Sequence, residues 1–204
     1  GRQYINYLDV SHNLLTGVIP DYWQNWRGLT FLNINSNKLG GEIPPSMGSL
    51  NELVNMNLQK NNLSGMFSLD VSNLKSLVFI NLGENHLFGI VPTKMPESMQ
   101  GMILRCNQFT GNIPPQLCSL PSLRLLDLSQ NKLSGSIRPC VFNTAPMDGA
   151  RRMSYHYQFS FDLFWIWRGR EVEYHATGLL RNLDLSMNNL SGEIPPELFG
   201  LAQL

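Results

Sequence analysis

The sequence is poor in charge. Its 204 residues carry 15 Lys and Arg against 15 Asp and Glu, with a net charge of zero and no basic run. That balance excludes the footprint of a nucleic-acid or anionic-membrane binder. No apolar run approaches the roughly 20 residues of a bilayer-crossing helix, and no secretory leader is present. No Gly-rich phosphate loop follows a strand and opens a helix. The four histidines, His12, His86, His156 and His175, lack metal-ligand spacing. His156 and His175 are expected as surface polar residues. Asp9, Asp127 and Asp184 share one repeat position, and are expected to face solvent from separated coils rather than to form an acid/base pair. Cys106 has no evident base beside it. Neither a cofactor nor catalysis is implied.

What the sequence does contain is one pattern, repeated. "YLDVSHNLLTGVIP", "FLNINSNKLGGEIP", "LLDLSQNKLSGSIR" and "NLDLSMNNLSGEIP" share the frame L-x-x-L-x-L-x-x-N-x-L-x-G-x-I-P. Its asparagine recurs at Asn13, Asn37, Asn61, Asn85, Asn107, Asn131 and Asn188, with intervals of 24, 24, 24, 22, 24 and 57 residues. The third copy has Met66-Phe67-Ser68 in place of x-I-P, and the sixth has Arg138 in place of the proline. Self-similarity at this period signals a solenoid. L-x-L predicts a short strand with alternate residues inward. The asparagine is expected to turn inward and bond the turn backbone as a ladder, because a buried amide needs such partners. The glycine supplies backbone freedom at the next bend, and Ile-Pro an extended segment on the far side. A coil cannot bury its leucines alone, so each depends on its neighbours. The expected fold is an α/β solenoid of leucine-rich repeats, with a parallel β-sheet on the concave face.

The L-x-G-x-I-P ending resembles the plant-specific class of leucine-rich repeats, found in extracellular receptors and inhibitors. "IPPQLCSLPSLRLLDLSQNKLSGSIRPCVFN" and then "WRGREVEYHATGLLRNLDLSMNNLSGEIP" are similar to plant leucine-rich-repeat receptor-like proteins. That family places an island before a final short array, is anchored at the plasma membrane, lacks a kinase domain and signals through partner receptor kinases. The resemblance implies a non-catalytic ligand-recognition module at the extracellular face of the plasma membrane, sensing a protein or peptide. It also implies a co-receptor kinase as partner of the full-length protein. Only one repeat follows the island and no Cys-paired caps appear, so the chain reads as a soluble ectodomain fragment. The competing reading is a secreted inhibitor of microbial cell-wall hydrolases, similar to polygalacturonase-inhibiting proteins; these lack an island. A third is a fragment that only self-associates through open ends such as "LFGLAQL".

The expected organisation is six repeats over 1–143, a mainly β island over 144–176 and a seventh repeat over 177–204. The island is dense in aromatics, which argues against disorder. Tyr155, Tyr157, Phe159 and Phe161 alternate with polar residues, as in a half-buried strand. Phe164 to Trp167, a turn at Arg168-Gly169 and a return over Glu171 to Tyr174 read as a hairpin. The island is expected to form one wall of the ligand site.

Counting back from each ladder asparagine gives the outward residues of the sheet. From these the candidate ligand-binding set is Tyr7, Phe31, Asn33, Asn57, Phe79, Asn81 and Arg105, with Trp165, Trp167, Arg168, Arg170 and Glu171 from the island. A polar, amide-rich surface with a few aromatic anchors suits recognition by many hydrogen bonds. Cys118 and Cys140 fall eleven and nine positions after successive ladder asparagines, nearly stacked on adjacent coils, which predicts a disulfide. Such a bond implies an oxidising setting. Cys106 is expected as a partly exposed thiol on the concave rim. Asn62-Leu63-Ser64 and Asn189-Leu190-Ser191 are N-glycosylation sequons whose asparagines should point outward.

Overall fold

A computed structural model describes residues 5–139, 163–167, 170–174 and 182–197. Residues 1–144 and 182–204 form one compact unit, and residues 145–181 a second.

In the first unit each coil begins with a three-residue strand: β1 (Tyr7–Asp9), β3 (Phe31–Asn33), β5 (Asn55–Asn57), β7 (Phe79–Asn81), β9 (Gly101–Ile103), β11 (Leu125–Asp127) and β15 (Asn182–Asp184). These seven pair in parallel, in chain order, as one sheet. β11 pairs directly with β15, so the 57-residue interval interrupts the sequence but not the ladder. A second parallel sheet runs through β2 (Thr16–Val18), β4 (Lys38–Gly41), β6 (Asn62–Met66), β8 (His86–Ile90), β10 (Gln108–Asn112), β12 (Lys132–Gly135) and β16 (Asn189–Leu190). The repeat pattern predicts only the first. Among the described residues the far side holds short 3-10 turns, such as Pro45–Ser49 and Pro115–Ser119, and no α-helix. Pro44 is extended, as Ile-Pro implies, and the turn starts one residue later.

Three apolar positions per coil fill the core between the sheets. Leu32, Ile34 and Leu39 are followed in the next coils by Met56, Leu58 and Leu63, then Ile80, Leu82 and Leu87, then Met102, Leu104 and Phe109, then Leu126, Leu128 and Leu133. All are buried, and each contributes about 2 kcal/mol before entropy costs. Phe67, which replaces the repeat's isoleucine, is also buried and meets Phe109 edge-on at 6.2 Å.

The asparagine ladder holds one coil to the next. Asn85 Oδ1 accepts the amide of Leu63 at 3.0 Å, and its Nδ2 donates to the carbonyls of Leu58, Leu82 and Gly83. Asn37, Asn61, Asn107, Asn131 and Asn188 repeat the pattern. The residue before each ladder asparagine, from His12 to Met187, has a positive φ near 50° although none is glycine. That conformation is uncommon for such side chains, and the bonds on either side of it hold it in place.

In the second unit β13 (Leu163–Trp167) pairs antiparallel with β14 (Arg170–Tyr174), Trp167 opposite Arg170 and Leu163 opposite Tyr174. Arg168, expected in a turn, and the expected strand of Tyr155, Tyr157, Phe159 and Phe161 lie outside the described residues, as do the side chains of Trp165, Trp167, Arg170 and Glu171.

Candidate functional site

The outward side of the first sheet carries three rows, two, four and six residues before the ladder asparagines. In the outermost row Tyr7 stacks on Phe31 with centroids 4.4 Å apart and rings 5° from parallel. Strand register alone brings them together, since Tyr7 and Phe31 are direct partners of β1 and β3. Phe79 was expected to be an exposed anchor like these. It is buried, at 5% exposure, and lies against Gly101, where an added Cβ would sit 2.5 Å from its ring.

The middle row is Asp9, Asn33, Asn57, Asn81, Ile103, Asp127 and Asp184. Its side chains first serve their own turns. Asn33 Oδ1 accepts the amide of Asn35, Asn57 Oδ1 that of Gln59, Asn81 Oδ1 that of Gly83 and Asp184 Oδ1 that of Ser186. Each is an Asx turn, a carbonyl or carboxylate oxygen closing on the amide two residues on. Sequence reading took Asn33, Asn57 and Asn81 for ligand contacts and missed that role. The amide nitrogens then divide. Asn33 Nδ2 donates to Asp9 Oδ2 at 3.1 Å, and Asn81 Nδ2 to Gln59 Oε1 at 2.8 Å. Asn57 Nδ2 makes no bond among the described residues, and Asn57, third in the row, is half-buried. Asn81 was also expected to be exposed; held by Gln59 and Gly83, it is buried.

The inner row links coils. Gln59 Nε2 donates to Glu84 Oε1 at 2.8 Å, and Arg105 Nη2 reaches the same oxygen at 2.7 Å. Arg105 crosses Gly83 to do so; a Cβ there would meet its Cγ at 3.1 Å. Burial pushes the Glu84 carboxyl up, but the bonds from Gln59 and Arg105 outweigh it and hold it below its ordinary value. Burial likewise raises Asp9, and the bonds from Ser11 and Asn33 bring it lower overall. Two atoms of this row are buried without a partner: Asn35 Oδ1, an acceptor, and Arg105 Nε, a donor. Gln59, Glu84 and Asn35 were not singled out in the sequence. The signal for Glu84 was its separation from Arg105, one coil less one residue.

Asp127 and Asp184 do not lie in separated coils. They are register partners on β11 and β15, strands that neighbour each other in the sheet although 57 residues separate the two positions in sequence. Asp127 is only 3% exposed, not solvent-facing.

Cys118 is disulfide-bonded and Cys106 is a half-buried free thiol; Cys140 lies outside the described residues. Asn62 and Asn189 are exposed on the second sheet. Among the described residues no group of three or more His, Cys, Asp or Glu could hold a metal ion, and no helix is long and apolar enough to cross a membrane.

The Leucine Rich Repeat family pattern matches residues 4–26, 28–50, 122–144 and 179–201. Receptor-like protein 32 of Arabidopsis thaliana is 54% identical over 46 residues, 22% of this chain and 5% of that protein. Receptor-like protein 35 of the same plant is 32% identical over 107 residues, 52% of this chain and 10% of that protein. The chain thus spans a tenth or less of the length of these relatives. Among solved structures, the Arabidopsis receptor kinase HAESA, in complex with the peptide hormone IDA and the co-receptor SERK1, superposes with a TM-score of 0.73 at 29% identity. That match covers 94% of this chain and 27% of the other. The plant peptide hormone receptor RGFR1, in complex with RGF2, superposes with a TM-score of 0.65 at 27% identity, covering 97% of this chain and 30% of the other.

Proposed function

Taking as premise that the chain is a leucine-rich-repeat stretch of the plant receptor-like protein kind, we propose that it is a ligand-recognition module and not a catalyst. Its ligand is an extracellular protein or peptide, read at the cell surface, and the full-length protein signals through a partner receptor kinase. The observation that carries this is the Asn57 Nδ2 donor on the first sheet, which is left open when Oδ1 of the half-buried side chain closes on the Gln59 amide. It stands on a rigid ladder, where an extended chain laid across the strands would meet it. Preorganised polar groups on regular elements bind with little ordering cost. The peptide-hormone and co-receptor complexes of HAESA support the same reading by likeness of fold. Arg168, Arg170 and Glu171 enter it from sequence alone.

The test places a photo-crosslinking residue at position 57 of the complete receptor, and in a second version at position 38 on the second sheet. Position 57 should link to the eliciting ligand and position 38 should not. Equal linkage at both, or at 38 alone, contradicts the assignment of the first sheet.

A further inference from the structure

The relation between Asp127 and Asp184 is unlike any other in the middle row. At the opposite end the pairing is acid to amide, with Asn33 Nδ2 donating to Asp9. Here two carboxylates are register partners on hydrogen-bonded parallel strands. Direct partners of one sheet face lie about 5 Å apart, and like charges so placed repel. Asp127 Oδ1 is already engaged by the Ser129 amide at 3.0 Å and hydroxyl at 2.6 Å, and Asp184 Oδ1 by the Ser186 amide at 2.9 Å. The Oδ2 atoms have no bond among the described residues. The described charged groups acting on Asp127 are Asp184 from β15 and Arg105 from the turn after β9. Arg105 is committed to Glu84 one coil away and relieves the repulsion only in part.

We propose that Asp127 and Asp184 share one proton across the β11–β15 seam, so that the last coil is held to the array more firmly in acid than at neutral pH. The step takes one proton from solvent onto Oδ2 of one carboxylate. That O–H then donates to the other carboxylate, replacing a repulsion by a charge-assisted hydrogen bond. Burial, the largest cause, raises the Asp127 carboxyl above its ordinary value against the lowering bonds from Ser129, and the charge of Asp184 adds a smaller rise that Arg105 opposes. An acid whose folded value is raised favours the folded state at low pH, and that stability is lost as pH rises from the ordinary carboxylate range through the raised value. The seam belongs to the first sheet, so on the function proposed above its proton tunes one end of the ligand surface. The seam itself is testable without a ligand.

The experiment is amide hydrogen exchange on the full chain at about pH 5 and about pH 7.5, corrected for intrinsic exchange rates. Its reporters are Leu128, which donates to Asp184 O, and Asn182, which donates to Arg124 O, both across the seam. Ile34, which donates to Asn57 O, reports on a seam without paired acids. Protection at the β11–β15 seam should fall by roughly threefold or more on going to neutral pH, about half a pKa unit of coupling. It should be flat in Asp184→Asn, and Ile34 should not share the change. In the unmutated protein, carboxyl carbon shifts of labelled aspartate should show one carboxyl of the pair holding its proton above the ordinary range. A pH-independent seam, the same pH dependence in Asp184→Asn, or two ordinary carboxyl titrations would each overturn the proposal.

Discussion

Asn85 Oδ1 accepts the amide of Leu63 in the preceding coil, at 3.0 Å and out of reach of water. One side chain thereby satisfies the amide and donates to three carbonyls, each shared with a second donor: Asn61 Nδ2 at Leu58, Asn107 Nδ2 at Leu82 and the Lys60 amide at Gly83. Asn85→Ala should cost about 2 kcal/mol, since it leaves the buried Leu63 amide without an acceptor and takes one donor from each carbonyl. Asn13→Ala, where the amide is exposed and donates to only two carbonyls, should cost about 1 kcal/mol. Denaturant unfolding of the two variants checks the ranking; equal costs would mean that the ladder is incidental.

Gly17 and Gly65 share a repeat position and a positive φ, at 89° and 92°. An added Cβ at Gly17 meets nothing within 4 Å, whereas at Gly65 it meets Glu42 Cγ at 2.6 Å. Gly17→Ala should therefore cost about 1 kcal/mol for backbone conformation alone. Gly65→Ala should cost about 2 kcal/mol, because Glu42 must also move. Thermal midpoints separate the two effects.

The leucines and the ladder asparagines were legible because their period is strict and their chemistry leaves one solution. Asn57 and Asn81 were not. An outward asparagine looks the same whether its oxygen closes an Asx turn or waits for a ligand, and only the Gln59 and Gly83 amides decide. The second sheet was hidden because a run such as Ser64-Gly65-Met66 shows no alternation of polar and apolar residues. The Asp127–Asp184 partnership was masked by an interval of 57 residues, which gives no register until β15 is seen to rejoin β11.

Glu84 is held below its ordinary carboxyl value, against the opposing effect of burial, by Gln59 and Arg105. Its contribution is present above the ordinary value and lost as pH falls through the depressed one. Glu84→Gln should thus destabilise the protein by about 1 kcal/mol at neutral pH. The difference from the unmutated chain should shrink toward zero in strong acid. Paired melting curves across pH check this, and a pH-independent gap would remove the ion pair from the account.

For the cysteines and sequons we propose a Cys118–Cys140 bond, a free Cys106 and N-glycans on Asn62 and Asn189. Unreduced peptide mass mapping of plant-secreted protein should give the 118–140 linked pair and an alkylated Cys106. Asn62→Gln and Asn189→Gln should each remove one glycan. A linked peptide containing Cys106, or no mass change in either variant, contradicts the corresponding assignment.

The central claim is that the first sheet reads the ligand through the Asn57 donor that its own turn leaves open. Asn57→Asp isolates it, because the oxygen that closes on the Gln59 amide is kept while the free Nδ2 donor is lost. The measurement is the calorimetric affinity of the complete ectodomain for its eliciting ligand, in the unmutated protein and in this variant. The account predicts binding at least tenfold weaker, about 1.4 kcal/mol, with an unchanged thermal midpoint. Unchanged affinity in the folded variant would contradict it.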